Sequence, residues 1–172
     1  MNIKRKLVSP VLMWLVVATG VFIAFQLVPA RFLFPRNMFT SFLILPAMAY
    51  WLYFFIGAVK AHSQAAFSTD KISRIIKEGI YAKVRHPIYV ADIILGWSIL
   101  LFYPDARFLT GAIWLTAVLF FWMRLEERAL IEKFGEEYRE YRRRVPSVFP
   151  KFWCAESNIG RVIIIAQVAI KF

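Results

Sequence analysis

Two short stretches carry the residue types that do chemistry. The first is Tyr81-Ala82-Lys83-Val84-Arg85-His86-Pro87-Ile88-Tyr89, which holds one of only two histidines in 172 residues. The second, some 40 residues later, is Trp122-Met123-Arg124-Leu125-Glu126-Glu127. The residue before a proline is pushed out of the α region, whereas proline itself fits the first turn of a helix. His86 is therefore expected just outside a helix that starts at Pro87, with the amides of Ile88 and Tyr89 unpaired. Such a start binds an anion through free N–H groups and the helix dipole. A basic anchor at a membrane interface would read the same way, and this stretch alone leaves both readings open.

The chain that must position these residues is 60% hydrophobic, with 17 Phe and 6 Trp, yet it carries 22 Lys+Arg against 11 Asp+Glu. Both facts fit if apolar and charged residues occupy separate segments, and they do. A basic membrane protein follows, with nucleic acid a poor partner, because the positive charges flank long uncharged stretches. The single cysteine, Cys154, excludes an internal disulfide and a cysteine zinc cluster. His62 and His86 are too far apart in sequence to suggest a histidine metal site.

The length points to one domain over residues 1–172. Lys4, Arg5 and Lys6 precede an uncharged run over 8–30. At about 1.5 Å per residue that run reaches about 34 Å, enough to cross a hydrocarbon core. It is long for a signal-peptide core and closes on no small-x-small pattern, so a retained span is expected. A second span is expected over 38–59, kinked by Pro46. In Lys60–Arg85, Ile72, Ile75, Ile76 and Ile80 recur at roughly helical spacing, as in an amphipathic turn against a membrane face. Gly79 ends that turn.

Two shorter apolar segments, 87–103 and 108–123, are joined by Pro104-Asp105-Ala106-Arg107, a link short enough to force an antiparallel hairpin. Asp92 lies one turn inside the first arm, where a carboxylate is usually functional or paired, or snorkels to the interface. Beyond Arg124 the pattern is charged and helical, with Phe134, Tyr138, Tyr141 and Val145 in one stripe. Gly135 interrupts or restarts that helix and Pro146 ends it. Val162–Ile170 is apolar but too short to span. The expected fold is an all-α polytopic membrane helix bundle of about four transmembrane helices, with a C-terminal hairpin and cytoplasmic amphipathic helices.

If the N-terminus is cytoplasmic, 19 of the 22 basic residues fall on the inside, leaving only Arg31, Arg36 and Arg107 outside. That arrangement places both termini in the cytoplasm. It also sets Arg85, His86 and Tyr89 opposite Arg124, Glu126 and Glu127 across the open end of the hairpin. Both signs of charge beside apolar walls suit a charged soluble molecule reacting with a membrane-dissolved one. Tyr81, Tyr89, Tyr138 and Tyr141 are available to stack on a flat ring or a cation. No glycine-rich phosphate loop, nucleophile elbow or metal-ligand set occurs.

The run Gly79-Ile80-Tyr81-Ala82-Lys83-Val84-Arg85-His86-Pro87-Ile88-Tyr89, followed by Glu126-Glu127 and by Phe134-Gly135-Glu136-Glu137-Tyr138-Arg139-Glu140-Tyr141-Arg142-Arg143-Arg144-Val145-Pro146, resembles the isoprenylcysteine carboxyl methyltransferase family. That family belongs with the phospholipid N-methyltransferases. The resemblance covers about residues 60–150. It implies an integral-membrane enzyme that takes S-adenosylmethionine at the cytoplasmic side and a lipophilic or lipidated acceptor from the bilayer. The implied cofactor contacts are Tyr81, Arg85, the run His86, Pro87, Ile88 and Tyr89, and Glu126. The segment Ser73, Arg74, Ile75 and Ile76 would cover the cofactor, and Gln64 aligns with a small shift. Arg124 and Glu127 are the candidate catalytic residues.

Two departures matter. Family members often show Arg-x-Arg-x-Glu-Glu, with the first arginine tied to the substrate carboxylate; here that position is Trp122, leaving Arg124. The glycine usual two residues after the motif tyrosine is Ala91. The acceptor is therefore left between an isoprenylcysteine-like carboxylate and a lipid amine. An NADPH-dependent membrane sterol or lipid reductase shares the Arg-His pair, but lacks the proline after it. A non-catalytic basic protein binding anionic lipid is the third reading.

Overall fold

The computed structural model describes residues 9–61 and 75–148. Gln64, Ser73, Arg74, Ile72 and the apolar stretch Val162–Ile170 lie outside them. The described chain is helical: α1 (Pro10–Leu27), α2 (Met38–Phe42), α3 (Ile44–Ala61), α4 (Pro87–Phe102), α5 (Ala106–Phe134) and α6 (Glu136–Arg144), with a 3₁₀ turn at Gly79–Ala82. Pro10–Leu27, Met38–Ala58 and Ala106–Phe134 are long and apolar enough to cross a membrane, while Pro87–Phe102 is apolar but shorter. Their outward faces carry Trp14, Phe22, Phe39, Tyr53 and Phe121, all exposed. That distribution suits lipid on the outside of an all-α membrane bundle.

Helix boundaries follow local chemistry. Pro46 has no N–H to offer the carbonyl of Phe42, and the second span divides at Leu43 into α2 and α3. Asn37 caps α2 through its side chain, which accepts from Phe39 N at 2.8 Å. Gly135, at φ 58°, ends α5 and turns the chain directly into α6. Val145 caps α6 one residue before Pro146. Residues 75–77 carry no helix, so the expected amphipathic turn does not extend through Ile75 and Ile76.

α5 differs most from expectation. It runs unbroken through the charged residues after Met123, so the apolar arm and the charged helix are one 29-residue element. Side-chain charge does not interrupt a helix whose backbone hydrogen bonds continue; only Gly135 does.

Packing sets α1 against α5, α3 against α4 and α4 against α5. Without a strong hydrophobic drive inside lipid, close contact and polar pairing hold such interfaces. Gly20 supplies the close approach: a Cβ there would stand 2.0 Å from Trp114 Nε1, and Trp114 Nε1 donates to Val16 O at 3.1 Å. Asp92 is buried and accepts from Trp51 Nε1 at 2.6 Å. The carboxylate read as functional or paired is thus paired, joining α3 to α4.

Candidate functional site

The hairpin brings the two chemical stretches together. Pro87 occupies the first turn of α4, with His86 as N-cap outside helical geometry at φ −122°, ψ 61°. The helix ladder opens with Val90 N donating to His86 O at 3.1 Å, so the amides of Ile88 and Tyr89 precede the first intrahelical bond. The ring of Tyr89 stacks on that of His86 with centroids 5.6 Å apart, and its hydroxyl faces Glu126.

Glu127 is the hub. Arg85 Nε and Nη2 donate to Glu127 Oε1 at 2.9 and 2.6 Å. His86 Nε2 lies 3.2 Å from the same oxygen, while Arg142 Nε stands 3.7 Å from Oε2. Arg85 also donates through Nη1 to the carbonyls of Arg142, at 2.9 Å, and of Val145. It thereby neutralises the C-terminal end of α6, where carbonyls lack intrahelical partners and the dipole is negative. One guanidinium thus bolts α6 to α5 and to the start of α4.

The backbone completes this joint. Arg85 N donates to Pro146 O at 2.9 Å and His86 N to Ser147 O at 3.3 Å. Tyr141 Oη donates to Tyr81 O at 2.7 Å. Tyr138, Tyr141 and Val145 form a buried cluster with Ile75, Leu130, Ile131 and Phe134 around it, so the aromatic stripe is packing. Burial pushes the phenols of Tyr81 and Tyr138 up, and that of Tyr141 to about 12, keeping all three neutral.

His86 is 6% exposed. Its Nδ1 lies 3.6 Å from Glu126 Oε2, so each ring nitrogen faces a carboxylate. Burial lowers the imidazole's affinity for a proton, but bonding and charge from Glu126 and Glu127 outweigh it and raise the group above its ordinary value. Glu126, whose side chain is 22% exposed against 13% for Glu127, is the carboxylate with capacity left for another molecule.

The expected residues therefore divide. His86, Pro87, Ile88, Tyr89 and Glu126 converge at the open end of α4. Arg85 and Glu127 converge there too, bonded to each other in the joint. Ile75 packs on the tyrosine cluster and Ile76 is half-buried nearby in the chain. Arg124 is exposed, on an outward stripe of α5 with Ala117, Phe120, Phe121 and Arg128; it does not meet Glu127. Arg142 joins the hub without having been singled out, because its role depends on how α6 folds back. Trp122 is 5% exposed and its Nε1 has no hydrogen-bond partner.

Separate from this end, an apolar cleft of about 620 Å³ opens between α1 and α5, lined by residues including Leu12, Ile23, Thr110 and Trp114. Its lining offers almost no polar group for catalysis.

Known methyltransferases share sequence similarity with part of this chain. The chain is 41% identical over 71 residues to methanethiol S-methyltransferase 1 of Bradyrhizobium diazoefficiens, covering 41% of this chain and 24% of that protein. It is 38% identical over 90 residues to protein-S-isoprenylcysteine O-methyltransferase of Schizosaccharomyces pombe, covering 49% and 36%. The human protein-S-isoprenylcysteine O-methyltransferase shares 40% identity over 81 residues, covering 44% and 27%. The chain thus spans well under half the length of these curated relatives. No solved structure matches it. A family model described as a protein of unknown function, DUF1295, runs over residues 4–145, so the chain belongs to that family, with isoprenylcysteine methyltransferase-like relatives.

Proposed function

We propose that this chain is an S-adenosylmethionine-dependent membrane methyltransferase acting on a lipophilic acceptor that enters from the bilayer. The observation that carries the reading is the convergence of the helix start at Pro87 with the partly exposed carboxylate of Glu126, the His86 ring and Tyr89. A molecule bearing its own carboxylate, ammonium, ribose hydroxyls and flat base finds complementary groups there. The amides of Ile88 and Tyr89 would hold the carboxylate, Glu126 the ribose hydroxyls or the amine, and the Tyr89 ring an apolar wall. The cofactor supplies an activated methyl group on a sulfonium. The relatives' names support methyl transfer and do not favour the reductase or the lipid-binding reading.

The protein's own task is orientation and exclusion of water, since positive charge is lost during the transfer and no proton relay is needed at the donor. Arg85 and Glu127 keep α4, α5 and α6 in register so that Glu126 stays opposite Pro87. The crowding of basic residues at the polar end supports placing it in the cytoplasm.

Isothermal calorimetry on the full chain in detergent tests this. S-adenosylhomocysteine should bind, NADPH should not, and Glu126→Ala should weaken binding by roughly tenfold, the scale of a lost charge-assisted hydrogen bond. Failure of either adenosyl compound to bind the folded chain would sink the proposal.

A further inference from the structure

Trp122 holds a polar atom that the site as described does not use. Among the described residues, its Nε1 is the buried side-chain nitrogen or oxygen without a hydrogen-bond partner. A buried donor left unpaired is destabilising, and such atoms in folded proteins call for a specific explanation. Its place supplies one. Trp122 precedes Glu126 by one turn on the same face of α5, so it lies about 6 Å further into the bundle along the helix axis. It shares a cluster with Met13, Val17, Val118, Leu119 and Met123, against which Tyr89 and Ile93 of α4 pack. The indole thus sits on the apolar side of the Glu126, His86 and Tyr89 constellation. An acceptor arriving from the bilayer must meet a methyl group presented from the polar side at this level.

We infer that Trp122 Nε1–H is the hydrogen-bond donor to the methyl acceptor, and that it selects an apolar thiol over a carboxylic acid or an amine. This rests on the methyltransferase reading above. A carboxylate brings a full charge and about four lone-pair sites; buried against one neutral donor it stays largely unsatisfied. The remaining nearby arginine, Arg124, is on the exposed stripe. A neutral amine has one lone pair, which must attack the methyl carbon and so is not free to accept from the indole. Sulfur has lone pairs for both purposes, is weakly solvated and polarizable, and is satisfied by one donor. In the reaction a sulfur lone pair forms the new S–CH₃ bond while the donor's C–S bond breaks, its electrons staying on the departing sulfur. The thiol proton passes to Glu126, one turn away and partly exposed, and from there to water.

The test uses the full chain in detergent with radiolabelled S-adenosylmethionine and three acceptors of equal chain length: 1-octanethiol, octanoic acid and octylamine. The thiol should be methylated with kcat/KM at least about tenfold above the other two. Trp122→Phe keeps the ring and removes the donor; it should lower kcat/KM for the thiol roughly fivefold to tenfold, the scale of one net hydrogen bond, with S-adenosylhomocysteine affinity unchanged. In ¹⁵N-indole spectra, the Trp122 signal should move downfield when octanethiol is added beside S-adenosylhomocysteine. Preference for the acid or the amine overturns the inference even if the variant does not fold, as does an unmoved indole signal. Loss of S-adenosylhomocysteine binding in the wild-type chain overturns the methyltransferase reading instead, and the inference with it.

Discussion

Both ends of the bundle hold a carboxylate shielded against an arginine, and they are built in opposite ways. At the end away from the site, Asp105 is 1% exposed and caps α5, accepting from Arg107 N and Nε at 2.9 and 2.8 Å. Its partner is two residues away. Backbone bonds from Leu33 N to Pro104 O and from Ala106 N to Arg31 O, each 2.9 Å, tie the neighbouring loop down. At the site end, Glu127 draws Arg85, His86 and Arg142 from three separate segments. The first arrangement closes on itself and needs only a turn. The second exists only when α4, α5 and α6 are assembled, and it leaves Glu126 partly exposed beside the α4 amides. A local pair finishes a helix; a long-range pair can hold a site open.

The largest expected effect comes from breaking the long-range hub. Glu127→Ala leaves Arg85 and His86 buried without their shared anion and should cost about 3 kcal/mol or more, seen as a lower thermal unfolding midpoint in detergent and loss of S-adenosylhomocysteine binding. Asp105→Ala should lower the midpoint less and leave that binding intact, since its pair reaches no other element's functional group. Equal losses from the two substitutions would break the contrast.

Next in size is the response to pH, which should separate the two ends because only one contains a histidine. His86 has a folded-state affinity for protons above its ordinary value near 6.5. Its contribution is therefore fully present below about pH 6.5 and is lost as pH rises through the raised folded value. Unfolding midpoints measured from pH 6 upward should fall in the wild-type chain, and the fall should flatten in His86→Gln. An unchanged slope in that variant would place the pH dependence elsewhere.

The smallest changes are expected where a group can be replaced in kind or faces outward. Asp105→Asn preserves an N-cap acceptor and should shift the midpoint less than Asp105→Ala. Arg124→Gln should leave both the midpoint and S-adenosylhomocysteine affinity within error, because Arg124 meets no carboxylate of the hub. A fall in methyl transfer with cofactor binding intact would instead show that Arg124 reaches the acceptor.

Much of this was legible from residue types. Pro87 and Gly135 set boundaries of α4 and α6 through backbone constraints that act within a few residues. The division at Leu43 follows from Pro46 in the same way. Arg124 was not legible: it sits within a charged motif, and its outward position depends on the helical phase of α5 relative to α4. The continuity of α5 past Met123 is not legible from polarity, because the helix is maintained by its backbone bonds whatever its side chains. Gln64, Ser73 and Arg74, expected near the cofactor, lie outside the described residues and remain expectations.

By itself, the sequence determined the helical membrane character and the pairing of Arg-His-Pro with Glu-Glu at the open end of one hairpin. These depend on composition and on short-range rules of proline, glycine and charge. Only the tertiary structure decided that Glu127 and Arg85 bind each other, that Glu126 keeps lone pairs to offer, and that the Trp122 indole is buried without a partner. Such assignments depend on helix rotation and on which side chains compete for one carboxylate, and neither is encoded within a single element.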